Sequence, residues 1–400
     1  MINASKNELP EPDDEAKKRS LMLTRHIQSE CANTDGLMSF ADFMRIALYQ
    51  PGLGYYSGGL QKFGAKGDFI TAPEVSPLFG QCLANQIAEI FLNFKNNNIE
   101  KRYVIEFGAG SGVLAVDILL QLEEHDLLPE KYLILELSAE LKQRQQKKLN
   151  DKTPHLVSLV QWLDCLPKDL TNAVVVANEV LDAMPVERFR VNQEAVETLM
   201  VGIEDENLVR CYNAADNNVI EKIEQMWQRS EITCAESYCS EYNPAIGGWL
   251  AALEQEINHL VILLIDYGYN EKEYYHPDRI DGTLMCYYQH RAHEDFLWWP
   301  GLQDITAFVN FTDVAYSAVD LGLEVSGYTT QAAFLLANDL SGLHASQVTD
   351  DVKQQVTLSQ QIKTLTLPSE MGDRFKVMAL TKNYEEPLKG FSMLDLRNRL

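Results

Sequence analysis

The sequence predicts an α/β fold: a mostly parallel sheet covered by helices on both faces, preceded by a mainly helical N-terminal segment and interrupted by a β-rich insertion after the fourth core strand. Three observations predict it. From Tyr103 onward, short apolar runs alternate with segments of helical periodicity, as strands buried on both faces require. The first run, Tyr103–Phe107, turns through Gly108, Gly110 and Gly112 into a second periodic segment starting at Val113, which reads as strand, tight turn and helix start. Between the apolar runs 173–177 and 260–265 lies a long stretch of alternating sequence broken by turn signals.

Taken in order, residues 1–20 read as a flexible tail and 21–32 as a helix. Ser39, with Asp42 three residues on, caps a second helix whose Phe40, Phe43, Met44, Ala47 and Leu48 recur at helical spacing, and Pro51 to Gly54 end it. Residues 63–74 form a loop rich in Gly, Pro and polar groups, and 77–94 an amphipathic helix with Phe79, Leu83, Ile87, Phe91 and Phe94 on one face. Strands are expected at 103–107, 132–137, 156–162, 173–177 and 260–265, with helices at 113–124 and 139–149. The stretch 185–259 carries three β-rich runs and then a helical one, 246–259. Helix 312–321, strand 323–327, helices 330–340 and 347–363 and strand 375–381 complete the chain. The expected organisation is a tail (1–20), a helical segment with a cofactor-lid loop (21–100), a core (101–184 and 260–400) and an inserted substrate-side subdomain (185–259).

Composition narrows the function. The 400 residues, 46% hydrophobic and 23% charged, are those of a soluble globular protein of two or three domains. A formal net charge of −24, from 58 acidic against 34 basic residues, argues against nucleic-acid binding, which needs a basic face. Seven cysteines with no Cys-x-x-Cys indicate neither a disulfide framework nor a zinc site. His290-x-x-His293-Glu294 lacks a third ligand placed by any motif, so no metal is expected. The polar, acidic N-terminus is neither a secretory signal nor a mitochondrial transit peptide, and the apolar run 260–265 is too short to span a bilayer; a bacterial cytoplasmic location is the expectation.

A parallel α/β sheet binds ligands beyond the carboxyl ends of its strands, which is where the glycine turn falls. A dinucleotide fingerprint would place a third glycine at Val113; here the glycines run Gly108, Gly110, Gly112. That pattern favours S-adenosyl-L-methionine (SAM), which carries an adenosine but no pyrophosphate. Glu136, ending the second strand, can accept both ribose hydroxyls, or alternatively cap the following helix. Glu106 can meet the methionine amino group, or alternatively hold the N–H groups of the turn. Trp162 can stack on adenine, or serve as a core aromatic. The fourth strand runs into Asn178, Glu179 and Asp182, an amide and two carboxylates at the position facing the methyl group and its acceptor. Two neighbouring acids call for a cation, and a guanidinium pairs with a carboxylate in a bidentate fork; Asp182 could instead cap a short turn. Asp266 and Asp304 are further acids that could bind substrate.

These stretches together carry a resemblance. Tyr49 to Tyr56, Gly67-Asp-Phe-Ile-Thr-Ala-Pro-Glu74, Glu106 to Gly112, Glu136-Leu-Ser138, Ala177-Asn-Glu-Val-Leu-Asp-Ala-Met-Pro185, Ile265-Asp-Tyr-Gly-Tyr269, Gly282 to Leu284, Gly301 to Thr306 and Met371 to Lys376 resemble the MidA-like family of SAM-dependent methyltransferases. The likeness covers about residues 20–400. It implies a class I (Rossmann-like) methyltransferase sheet with an antiparallel final strand. From the mitochondrial members, which act in respiratory complex I assembly, it implies symmetric dimethylation of an arginine in a protein substrate such as a respiratory-complex subunit, and, with no transit peptide read in the sequence, a bacterial relative in the cytoplasm. The loop before the core would then close over the cofactor, with Asp68 and Glu74 reaching the site, although Glu74 could equally cap a helix. Competing expectations are methylation of a different acceptor and a SAM-binding assembly factor that acts by binding its partner.

Overall fold

A computed structural model describes residues 2–3, 9–58, 70–97, 99, 101–192, 195–230 and 237–400. The chain divides into two compact units. One comprises Met1–Phe69, Asp182–Ile246 and Tyr269–Thr312; the other comprises Ile70–Leu181, Gly247–Gly268 and Asp313–Leu400. The helix at 77–96 therefore goes with the sheet, and residues 269–312 go with the insertion.

The larger unit is built on helix α1 (Pro77–Asn96), strand β1 (Tyr103–Phe107), helix α2 (Val113–Glu124), strand β2 (Lys131–Leu135), helix α3 (Ala139–Lys152) and strands β3 (Val160–Leu163), β4 (Leu170–Asn178), β5 (Ile257–Tyr269), β6 (Glu324–Thr330) and β7 (Phe375–Lys382). Their order across the sheet is β6-β7-β5-β4-β1-β2-β3. Strands β1 to β5 are parallel, and β7 lies antiparallel between β5 and β6. This is the class I methyltransferase arrangement, with the β-rich insertion leaving after β4. The core beneath one face joins Leu83, Ile87 and Phe91 of α1, Leu114, Ile118 and Leu122 of α2, and Val104, Val174 and Val261 of the strands. A continuous apolar run such as Leu260 to Ile265 is buried on both faces, as the central position of β5 demands.

The register puts the functional ends in one row. Phe107 lies beside Leu135 and Ala177, and Asn178 beside Ile265. Gly108, Glu136, Glu179 and Asp266 therefore all leave the same carboxyl edge. Strand β3 starts at Val160, later than the apolar pattern alone suggests, because Val157–Leu159 form a 3₁₀ turn.

The smaller unit holds a five-stranded antiparallel sheet. Ser237–Tyr242, Glu187–Asn192, Ala195–Glu204 and Leu37–Ser39 follow in order, and Asn207–Ala214 pairs with Ala195–Glu204. The helix Phe40–Tyr49 begins as expected, with Ser39 Oγ accepting the Asp42 N–H at 3.1 Å. The first long helix differs from the expected tail-plus-helix: it runs Asp14–Ala32, because Asp13 caps it by accepting the Ala16 N–H. Phe40, Phe43 and Phe296 form the aromatic centre of this unit's core. Among the described residues no helix is long and apolar enough to cross a membrane.

Candidate active site

The glycine turn is built as its spacing suggests. Gly108, Gly110 and Gly112 all take positive φ, at 62°, 51° and 80°, a region that only glycine enters cheaply. Gly112 is also sterically fixed, since a Cβ there would stand 3.1 Å from Gln145 Cα.

One side chain, Gln145, ties the glycine turn and the ends of β2 and β3 together. Glu136 Oε1 accepts the Ser138 N–H and Oε2 accepts the Gln145 amide, each at 2.9 Å. The same amide nitrogen donates to the Gly110 carbonyl at 3.0 Å, and Gln145 Oε1 accepts the Trp162 indole N–H at 2.9 Å. Gln145 thus sets the glycine turn, the acid and the ring in fixed relation. Sequence reasoning missed it, because a glutamine inside a polar helix reads as solvent-facing. Leu137, next to Glu136, is 80% exposed, an apolar side chain held at the surface beside the acid.

Glu106 is placed differently. It lies within β1, is 2% exposed, and its Oε2 accepts the Tyr132 hydroxyl at 2.8 Å. Burial pushes its carboxyl up to about 8, against the Tyr132 hydrogen bond, which lowers it, and with the Glu136 charge, which raises it. On the neighbouring helix Asp117 is pushed up to about 7, first by burial; Lys148 lowers it and Glu74 raises it. Glu74 belongs to the short helix Ala72–Val75 and receives a hydrogen bond from the hydroxyl of Ser111, between Gly110 and Gly112.

At the end of β4, Asn178 Nδ2 donates to Glu179 Oε1 at 3.2 Å, while Asn178 Oδ1 is buried without a hydrogen-bond partner among the described residues. Glu179 has φ 53°, a left-handed backbone that a glutamate adopts only under constraint. The constraint comes from β5: the Glu179 N–H donates to the Ile265 carbonyl at 2.9 Å and the Leu181 N–H to Asp266 Oδ2 at 3.1 Å. Asp266, fully buried, also accepts the Tyr267 N–H at 2.9 Å.

Asp182 belongs to the smaller unit, where it is buried and its carbonyl accepts the Ala307 N–H at 3.1 Å. In that unit Tyr49 donates to the Ala183 carbonyl at 2.8 Å and Tyr56 to Asp304 Oδ1 at 3.0 Å, their rings stacked 5.4 Å apart. Burial first, then the charges of Asp304, Tyr49 and Asp182, hold the Tyr56 hydroxyl well above its ordinary range. Asp68 lies outside the described residues.

A cradle of left-handed glycines, a carboxylate just past β2 with both oxygens oriented, a tethered indole and an orphaned amide oxygen at the same edge fit an adenosine-bearing methyl donor without pyrophosphate.

Comparisons with known proteins agree. A family model described as "Putative S-adenosyl-L-methionine-dependent methyltransferase" matches residues 82–329. A crystal structure from Burkholderia thailandensis with S-adenosyl-homocysteine bound superposes with a TM-score of 0.91 at 36% identity, covering 98% of this chain and 100% of that one. A native structure from the same organism gives 0.88 at 35%. At lower identity the chain is similar to "Protein arginine methyltransferase NDUFAF7, mitochondrial" of Danio rerio, 25% identical over 94% of this chain and 93% of the relative. The protein of that name from Rattus norvegicus is 27% identical over 90% and 84%.

Proposed function

We propose that this chain, which belongs to the family of S-adenosyl-L-methionine-dependent methyltransferases matched above, transfers methyl groups to an arginine side chain of a protein substrate. Its methyl donor is SAM. The observation that carries the arginine reading is Glu179: a carboxylate held at the carboxyl edge of the sheet, on backbone strained into a left-handed conformation. Strain of this kind costs about 1–3 kcal/mol and is retained where function repays it. The printed names of the 25–27% identical mitochondrial relatives, protein arginine methyltransferases, support the same acceptor.

When bound, the cofactor supplies an electrophilic methyl group on a sulfonium leaving group. The protein's task is alignment, worth several kcal/mol and up to about 7–11. Gln145 holds Glu136 and Trp162 for the adenosine. Glu179 pairs with the guanidinium fork and localises electron density on the attacking nitrogen, while β5 keeps the Glu179 turn from relaxing. Asn178, Asp182 and Asp68 complete the acceptor-side candidates. The product is a symmetrically dimethylated arginine. One charge-assisted hydrogen bond contributes only about 1.5–3 kcal/mol, too little to select one arginine in a proteome. Selection therefore comes from docking of the substrate protein on the 185–259 insertion. The bacterial origin of the 36% identical structure supports a bacterial cytoplasmic setting.

The test is transfer of labelled methyl from SAM to a lysate of cells lacking this protein, with mass spectrometry of the labelled product. Label on an arginine, lost in Glu179→Gln, is expected. Label on another residue or on a small molecule overturns the arginine reading. SAM binding without any transfer favours a binding protein.

A further inference from the structure

The glycine turn, Glu136 and Trp162 serve the adenosine half of the cofactor. The other half ends in an α-amino acid whose ammonium needs an anion. Glu106, the acid nearest in sequence, is buried within β1 with its Oε2 taken by the Tyr132 hydroxyl. A different acid reaches the turn. Glu74 arrives from the segment before the core and meets the turn at Ser111. Among the described residues, no lysine or arginine forms an ion pair with Glu74. Its charged neighbour is instead another acid, Asp117, whose Oδ2 is buried without a hydrogen-bond partner. Helix packing fixes Asp117 in place: a Cβ on Gly80 of α1 would come within 2.6 Å of Asp117 Cβ, so the Asp117 side chain packs directly on that glycine. Lys148 offsets the Asp117 charge in part, while Glu74, at the Ser111 hydroxyl of the turn, has no cation of its own among the described residues; a carboxylate so placed favours a cationic ligand group.

We propose that Glu74 binds the α-ammonium of the cofactor's methionine moiety, and that the Ser111 hydroxyl occupies the carboxylate until the ammonium arrives. Segment 70–75 is then part of the cofactor site. Its closure reads the amino-acid end of the cofactor, whereas Gln145 and Glu136 serve the nucleoside end. The inference rests on the cofactor and not on the acceptor, so it and the arginine reading fail separately.

Titration calorimetry on the full chain tests it, using S-adenosyl-homocysteine and its desamino analogue, which keeps the carboxylate and the nucleoside. The wild type should bind the desamino analogue at least tenfold more weakly than S-adenosyl-homocysteine. Glu74→Gln should bind the two alike, with its loss confined to S-adenosyl-homocysteine. Ser111→Ala, which removes the resting partner and keeps the carboxylate, should bind S-adenosyl-homocysteine within twofold of wild type. An equal loss of both ligands in Glu74→Gln, or a Ser111→Ala loss as large as that of Glu74→Gln, would make the contact a structural tie and overturn the proposal. So would a Glu74→Gln variant that still prefers S-adenosyl-homocysteine tenfold.

Discussion

Gln145 donates to Glu136 Oε2 at 2.9 Å from the far end of the helix turn that Glu136 precedes, and the same amide group accepts the Trp162 indole. The acid and the ring are therefore positioned by one residue that need not touch the ligand. Gln145→Leu keeps the volume and removes these two bonds together with the one to the Gly110 carbonyl. Leaving buried groups unpaired costs about 1–3 kcal/mol, so the melting temperature should drop. S-adenosyl-homocysteine affinity should fall at least tenfold, measured by calorimetry. An unchanged affinity would show that Glu136 and Trp162 hold their places without it.

Glu179 separates stability from activity. Glu179→Gly relieves the left-handed strain, a gain of roughly 1 kcal/mol before glycine's own entropy cost. The expected result is a melting temperature equal to or above wild type, with labelled methyl transfer abolished. Glu179→Gln retains the backbone and loses only the charge, so it should lose transfer without gaining stability. A clearly destabilised Glu179→Gly would contradict the strained geometry.

Asp266 is a positioning residue for the same turn. Asp266→Asn offers one acceptor where two N–H groups, of Leu181 and Tyr267, need one each. Methyl transfer should fall by an order of magnitude or more, while S-adenosyl-homocysteine affinity stays within about twofold. If affinity falls as far as transfer does, the residue supports the whole edge and not the Glu179 turn in particular.

Stability should decline with rising pH. Glu106 sits at about 8 and Asp117 at about 7 in the folded protein, against ordinary values of 4.5 and 3.8. Both are raised, so the folded state keeps protons that the unfolded chain releases above about pH 4–5. The contribution is fully present below those ordinary values and is lost as pH climbs through 7 and 8. The slope is at most about 1.4 kcal/mol per pH unit for each group. Glu106→Gln, which still accepts from Tyr132, should flatten the melting-temperature profile between pH 5 and 8.5. Parallel profiles for the two proteins would rule out Glu106 as a source of the slope.

The fold was legible because its strands are apolar runs of strand length and its turns are punctuated by glycine. The glycine turn and Glu136 were legible for the same reason: spacing alone puts them at strand ends. Glu106 and Glu136 look equivalent in sequence, yet one lies within β1 and the other one residue past β2. Two residues of register separate the acid inside β1, level with Ile134, from the one past the end of β2. Gln145 and Asp266 were illegible as connectors because their partners come from elsewhere in the chain: Glu136 and Trp162 for one, Leu181 for the other. The start of the first helix was hidden by its polarity, since residues 9–19 contain few apolar positions to reveal a period.

Strand β7 comes last in the chain, at Phe375–Lys382, yet lies between β5 and β6. During translation, β5 leaves the ribosome with one ladder edge unfilled, and β6, whose ladder partner among the described residues is β7, with neither filled. They stay so until the final strand has cleared the exit tunnel. Unfilled edges invite pairing with other chains, and the nascent protein carries them from the completion of β5 at Tyr269 until β7 is free. Loss of the last thirty or so residues would leave that gap permanently open.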